Sequence, residues 1–349
     1  MMSKKVYIGI GIRRKRAEKT LDVYYPEILA KDNLADFEAI DNSSIKKESL
    51  SDKQLLALSG NYSDHILAMS FDNAQTYAES DVIISIYSDL TSEIKTIEEA
   101  YFKLQLLSQR HKKPHDINLA GLFGILHNIA WTNKGPILTE DCERERLKTY
   151  AQGEQLIVTH IDKFPYLVNY HIPKGTRIAS GSQVRLGAYL GEGTTIMPAG
   201  YVNFNAGTLG KAMIEGRVSA GVVVGDDSDV GGGASIMGTL SGGNEAVIAI
   251  GESCLLGANA GTGISLGDGC TIAAGLYIYA SMKISLVDTA NNPVDINGKR
   301  VDIGENIVKA KDVSGKSNLL FIKDSQTGMV LCKPNSKQIT LNSALHSND

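Results

Sequence analysis

Cysteine is scarce in this chain of 349 residues: Cys142, Cys254, Cys270 and Cys332 are the four, without C-x-x-C spacing and without histidines clustered near them. That pattern excludes a zinc ribbon and a disulfide framework, and it fits a reducing cytoplasm. A basic surplus is also missing, since 35 Lys and Arg stand against 39 Asp and Glu for a formal net charge of -4. Nucleic acid and anionic membranes are therefore poor partners, and small-molecule work is the expectation. No apolar run approaches the ~20 residues that span a bilayer. The run at 6–12 is short, holds Gly9 and Gly11, and leads into Arg13-Arg14-Lys15-Arg16 rather than a cleavage site, so no export signal is expected. Nucleotide loops are lacking too. Residues 226–235 (DDSDVGGGAS) have no Gly-Lys-Ser/Thr ending, and Gly9-x-Gly11 has arginine where a dinucleotide fingerprint needs its third glycine.

What is present divides the chain in three. A chain this long can bury a large core without cross-links. Residues 1–165 mix strand-like runs at 6–12 and 82–87 with a helical pattern, Ile94, Ile97, Tyr101, Leu104 and Leu107, which predicts an α/β domain. From Ile172 the texture changes: apolar residues recur every six positions at Ile172, Ile178, Val184, Leu190, Ile196 and Val202. The period resumes in shifted frames at Val218, Val224, Val230 and Ile236, at Ile250 and Leu256, and at Leu266, Ile272, Ile278 and Ile284. Small residues such as Thr176, Ser182, Ala188, Thr194, Ser228, Ala234, Cys254 and Cys270 lie two positions earlier. This hexapeptide period fits neither an amphipathic helix nor an alternating strand; it predicts a β-solenoid over 166–285, with a loop or bulge at each frame shift. Residues 286–349 are polar, then strand-like, and predict a small β-rich cap.

Few side chains in the repeat carry chemistry. Cys254 and Cys270 fill small inward slots and are expected to be inert. A trimeric zinc enzyme of the carbonic anhydrase kind needs several histidines on its coils, and only His171 touches the repeat's edge, so a zinc enzyme of that kind is not expected. Glu215 sits in the first frame break, Met213-Ile214-Glu215-Gly216-Arg217, where a bulge would aim a carboxylate outward beside a guanidinium; a solvated loop glutamate is the alternative. Asn203 and Asn205 fit turn residues or substrate donors. Arg185, after inward Val184, points sideways and has the fork to hold a carboxylate.

Long irregular stretches go beyond the period: VRLGAYLGEGTTIMPAGYVNFNAGTLG (184–210), EGRVSAGVVVGDDSDVGGGASIMGTLSGG (215–243), CLLGANAGTGISLGDG (254–269), KPHDINLAGLFGILHNIAWTNKGPI (113–137), DKFPYLVNY (162–170) and VKAKDVSGKSNLLF (308–321). Over nearly the whole chain they resemble the tetrahydrodipicolinate N-succinyltransferases of the longer bacterial type. The resemblance implies a mainly β fold, a left-handed parallel β-helix with an N-terminal α/β domain and a C-terminal cap. It also implies a homotrimer with active sites between subunits, and succinyl transfer from succinyl-CoA to ring-opened tetrahydrodipicolinate. By the same resemblance Glu215 is the catalytic carboxylate, as acyl-anhydride former or general base. Arg217, Gly232, Ser235, Ala258, Ala273, Ala274, Ser281, Lys309, Ile322, Lys323, Asp324 and Ser325 then fall at succinyl-CoA contacts. Ser281 departs from the glycine usual there, and Ser182 and Ala199 replace acidic residues that hold a metal in some members, so the resemblance implies no metal at that site. Arg185, Asn203 and Asn205 are candidates for the dicarboxylate substrate on chemical grounds. Acetyl-CoA as donor and a non-catalytic solenoid are the rival readings.

Overall fold

The computed structural model describes residues 5–32, 50–74, 76–179, 183–240 and 246–336. They form two compact units, Met1–Lys112 with Asp116–His171, and Lys113–His115 with Ile172–Asp349. Ser182 lies outside the described residues.

In the first unit the strand Val6–Arg16 is the centre of an antiparallel sheet, pairing with Lys19–Tyr24, Ile28–Lys31 and Glu79–Tyr87. The helix Ile97–Ser108 covers it, starting after Ile94 because the Thr96 side chain accepts the N–H of Glu99 at 3.2 Å and caps the first turn. Gln105 on this helix is buried and spends its amide on the sheet's edge, accepting from the N–H of Tyr25 at 2.8 Å and donating to the carbonyl of Val23 at 3.0 Å. A β-carbon at Gly9 would meet Tyr25 and Phe102 at 2.8 and 2.9 Å, so Gly9-x-Gly11 makes room for two aromatic rings rather than for a phosphate. A smaller antiparallel sheet holds Ile129–Thr132, Gly135–Leu138 and Val158–Asp162.

The second unit is the solenoid, and each coil lays one short strand on each of three faces. On the first face Arg177–Ile178, Thr194–Ile196, Ala212–Ile214, Ser228–Val230, Leu255–Leu256 and Thr271–Ile272 stack in parallel. The second carries Tyr201–Val202, Arg217–Val218, Ser235–Ile236, Gly261–Gly263 and Tyr277–Tyr279. The third carries Tyr189–Leu190, Gly207–Thr208, Val223–Val224 and Ala249–Ile250. One residue per strand points inward, so Val202, Val218, Ile236 and Ile278 form one fully buried column, each such side chain contributing roughly 1.5–3 kcal/mol relative to exposure. Ile172, the first residue of the sequence period, does not join: it is 82% exposed and precedes the first coil.

The frame shifts have two different causes. Thr208 and Ile214, both fully buried, continue the period past Val202, and the next inward residue, Val218, comes four positions later instead of six. The corner there is Glu215-Gly216 alone, two residues shorter than the four-residue corners 197–200 and 231–234 of the coils on either side. The shift is thus a shortening and not the bulge that the sequence suggests. A second shortening separates Thr262 from Leu266, and the Thr262 hydroxyl closes it by donating to the carbonyl of Ile264 at 2.7 Å. Between Ile236 and Ile250 the chain instead makes an excursion, pinned by the Leu240 N–H to Ala246 carbonyl bond and the Thr239–Val247 bridge. Past the last coil the strand Leu319–Lys323 stacks on Thr271–Ile272, setting Phe321 over Ile272, and folds back on Val330–Pro334 as a hairpin.

Candidate active site

The edge between the first and second faces collects five of the predicted residues, Glu215, Gly232, Ala258, Ala273 and Ala274. Its corners hold Glu215 and Gly216, then residues 231–234, 257–260 and 273–276 in the coils above. Gly232, Ala258, Ala273 and Ala274 therefore lie along one line, with no side chain larger than a methyl group. Glu215 is at its recessed end, because the shortened corner sits back between two longer ones. Its main chain is fixed by the N–H of Glu215 donating to the carbonyl of Val230 at 2.8 Å and by its own carbonyl accepting from Gly233 at 3.3 Å. Its carboxylate lies against the next corner: a β-carbon on Gly232 would stand 3.2 Å from the Glu215 carboxyl carbon. Gly232→Ala is therefore expected to push the carboxylate aside by a few tenths of an ångström. The melting temperature should stay put, because the contact is with the flexible end of the Glu215 side chain, which can give way; thermal melts check this.

Around the corner, on the outer side of the second face, Arg217 stacks in register on Ser235 and donates to its hydroxyl at 2.6 Å. Ser281 is exposed beyond the strand Tyr277–Tyr279. Lys309 pairs in register with Lys283, and Lys311 lies near, so three ammonium groups line one cleft. Ile322 and Lys323 end the capping strand, and Asp324 and Ser325 make its turn. The Asp324 carboxylate is occupied in that turn: it accepts the N–H of Thr327 at 2.7 Å, the Thr327 hydroxyl at 2.8 Å and the N–H of Gln326 at 3.1 Å, and these bonds hold it below the usual carboxylate range.

Arg185, Asn203 and Asn205 lie elsewhere, on the corner between the second and third faces. Arg185 donates to Asn203 Oδ1 at 3.1 Å. Asn205 has a left-handed φ of 52°, and its Oδ1 accepts the N–H of His115 at 3.0 Å, while His115 Nε2 lies 2.6 Å from the carbonyl of Gly221. Asn205 is thus a turn residue that also clasps the 113–115 segment. Cys254 and Cys270 are fully buried, and their thiols donate to the carbonyls of Gly267 and Lys316 at 3.1 and 3.2 Å. Ala199 is exposed on the corner below Glu215.

One residue of this edge escaped the sequence reading. Asp229, the middle residue of Ser228–Val230, points outward between Met213 and Leu255 on the flanking strands. Burial and the charge of Glu215 push its carboxyl up to about 6. The available signal was an acidic residue at the outward slot of a strand beside the frame break.

A parallel β-helix of short coils, with a carboxylate set into an edge of glycine and alanine, is the build of a hexapeptide-repeat acyltransferase. Residues 247–280 match the hexapeptide repeat of succinyl-transferase, which makes the solenoid left-handed, and residues 126–166 match the tetrahydrodipicolinate N-succinyltransferase middle region. A 2,3,4,5-tetrahydropyridine-2,6-dicarboxylate N-succinyltransferase of Vibrio cholerae is 46% identical over 308 residues, 88% of this chain and 86% of that protein. One of Pseudomonas putida is 52% identical over 256 residues, 73% of this chain and 71% of that protein. A crystal structure of a Campylobacter jejuni protein assigned as a 2,3,4,5-tetrahydropyridine-2-carboxylate N-succinyltransferase superposes with a TM-score of 0.81 at 33% identity, covering 97% of this chain and 94% of that one. The chain belongs to the tetrahydrodipicolinate N-succinyltransferase family.

Proposed function

We propose that this chain transfers the succinyl group of succinyl-CoA to the amino group of ring-opened tetrahydrodipicolinate, releasing CoA and N-succinyl-2-amino-6-oxopimelate on the route to diaminopimelate and lysine. The observation that carries the reading is Glu215 at the recessed corner, its carboxylate against Gly232 at the foot of the line Gly232, Ala258, Ala273 and Ala274. Those small residues leave main-chain groups within reach of the amides of a pantetheine arm. Arg217 and Ser235 flank the thioester end. At the other end Ser281, Lys309, Ile322, Lys323, Asp324 and Ser325 receive the nucleotide, with Lys309 beside Lys283 and Lys311 giving phosphates a cationic seat.

The substrate candidates support an assembly. Arg185 and Asn203 occupy a different edge from Glu215, so one chain does not bring them together. A closed homotrimer with heterologous contacts sets one edge of each solenoid against another edge of its neighbour, and each groove then draws on two chains. In that groove Arg185 and Asn203 take a substrate carboxylate, and Asn205 holds their corner in place. Residues 1–165, 166–285 and 286–349 serve as the α/β domain, the catalytic helix and its cap, in a cytoplasmic enzyme. No helix among the described residues is long and apolar enough to cross a membrane.

Thiol release from succinyl-CoA with tetrahydrodipicolinate as acceptor, run in parallel with acetyl-CoA, tests the reading. Acceptor-dependent release with a clear preference for succinyl-CoA is expected; preference for acetyl-CoA would overturn the donor, and no release with either would return the chain to a non-catalytic solenoid. Removing a charge-assisted hydrogen bond costs about 1.5–3 kcal/mol. Arg217→Ala is accordingly expected to raise the KM for succinyl-CoA roughly 10- to 100-fold with a smaller change in kcat, measured by initial rates at saturating acceptor.

A further inference from the structure

Asp229 has an oxygen with nothing to bind. Its Oδ1 is buried, and among the described residues it is the side-chain nitrogen or oxygen that burial leaves without a hydrogen-bond partner. Buried polar atoms are otherwise almost always satisfied, because a missing partner costs the full desolvation of the group. The cause is local. Met213 lies opposite Asp229 on one side and Leu255 on the other, so apolar side chains cover the carboxylate along the face.

No cation relieves it. On the strand Ala212–Ile214 and its ends, the charged groups are Glu215 and Lys211, and Lys211 pairs with Asp227 at 3.1 Å, at the far end of the Asp229 strand. The opposite neighbour, Leu255–Leu256, carries no ionisable side chain, and Cys254 before it is fully buried inside the coil. Arg217 is on the next face with Ser235. Among the described residues, the charge that acts on Asp229 is the like charge of Glu215. Asp229 thus stands on the strand that follows the Glu215 corner in register, feels its charge, and holds one oxygen buried without a donor.

We propose that Asp229 is a second catalytic carboxylate of this site, the base that takes the proton from the attacking amine on its outer oxygen, Oδ2, while the buried and unpartnered Oδ1 keeps the carboxylate basic. The inference rests on the acyl-transfer reading above. As the amine nitrogen forms the amide bond, the succinyl carbonyl loses either the thioester sulfur or, where Glu215 has been acylated, the Glu215 oxygen; the proton on nitrogen passes to Asp229 and then to the CoA thiolate or to water. A glutamate that carries the acyl group is not available to take that proton, and a second carboxylate is. A base must be unprotonated to act, so activity is lost as the pH falls through the Asp229 value of about 6.

The test is Asp229→Asn, which keeps the shape and removes the base. Relative to wild type, kcat is expected to fall about 100-fold with the KM for succinyl-CoA little changed, and the acid limb near pH 6 should vanish from the profile of kcat/KM. A second readout needs no substrate. An unfolded aspartate titrates near 3.9, below the folded value of about 6. Between the two the folded state binds more protons, so wild-type stability declines as the pH rises through that window. The melting temperature of Asp229→Asn minus that of wild type should therefore grow from about pH 4 to pH 7. Full turnover in the variant with the acid limb intact, or a melting difference that does not change with pH, would overturn the assignment. A wild type that shows no acceptor-dependent thiol release would instead sink the acyl-transfer reading, and this role with it.

Discussion

Glu215→Gln is expected to abolish nearly all succinyl transfer, lowering kcat by about 10³-fold, within the range that a positioned acid-base or nucleophilic carboxylate supplies. The amide keeps the side chain's size, so its contact with Gly232 and the main-chain bonds to Val230 and Gly233 remain. What it removes is the negative oxygen, needed equally for attack on the thioester and for taking a proton. Succinyl-CoA binding should therefore persist, and a stopped assay with isothermal titration separates the two effects. The variant also relieves Asp229, since the charge that raises its carboxyl is gone. Any residual activity of Glu215→Gln should accordingly keep its rate to lower pH than wild type does. Turnover within a few-fold of wild type would remove Glu215 from the mechanism.

The recessed corner was half legible in the sequence. An inward slot repeated every six residues is visible wherever the slot is apolar, and Val184, Leu190, Ile196 and Val202 are all fully buried. The period vanishes at position 208 because the slot holds threonine. Its hydroxyl is satisfied inside the coil by Thr194 at 2.6 Å, a compensation that no periodicity reveals. Losing Thr208 also loses Ile214, and without Ile214 a corner two residues short looks like an insertion. The converse error is Ile172, which keeps the period by coincidence and faces solvent. The family resemblance led to Glu215 and the glycine-alanine line, because those residues are contiguous in motifs. Asp229 was hidden in a string that resembles a nucleotide loop. Its covering neighbours, Met213 and Leu255, are distant in sequence and adjacent only through strand register. The substrate corner shows the opposite limit: Asn205 was read equally as turn or donor, and the bond from His115 that commits its oxygen comes from a segment 90 positions away.

Lys103→Ala is expected to be the most destabilising single change in the first unit, at about 3–5 kcal/mol, the cost of stripping one partner from a buried ion pair. Lys103 is fully buried on the helix Ile97–Ser108, a position that the sequence period marks as neither core nor special. Its ammonium spends three donors: to Glu99 at 2.9 Å, to the carbonyl of Ser92 at 2.7 Å and to that of Asn118 at 3.1 Å. Truncation leaves a mostly buried carboxylate and two carbonyls without a donor, and it unties the segments before and after the helix that both rest on this one group. Glu99 keeps only the N–H of Lys95, at 3.1 Å. Lys103→Met with Glu99→Gln should cost less than Lys103→Ala alone, because it fills the space and removes the stranded charge. Trp131 is the only tryptophan of the chain and is buried in the same unit, so urea unfolding followed by its fluorescence reports this loss directly. A midpoint shift equivalent to under about 1 kcal/mol, the value of an exposed pair, would mean that the three bonds are made in the folded unit without stabilising it.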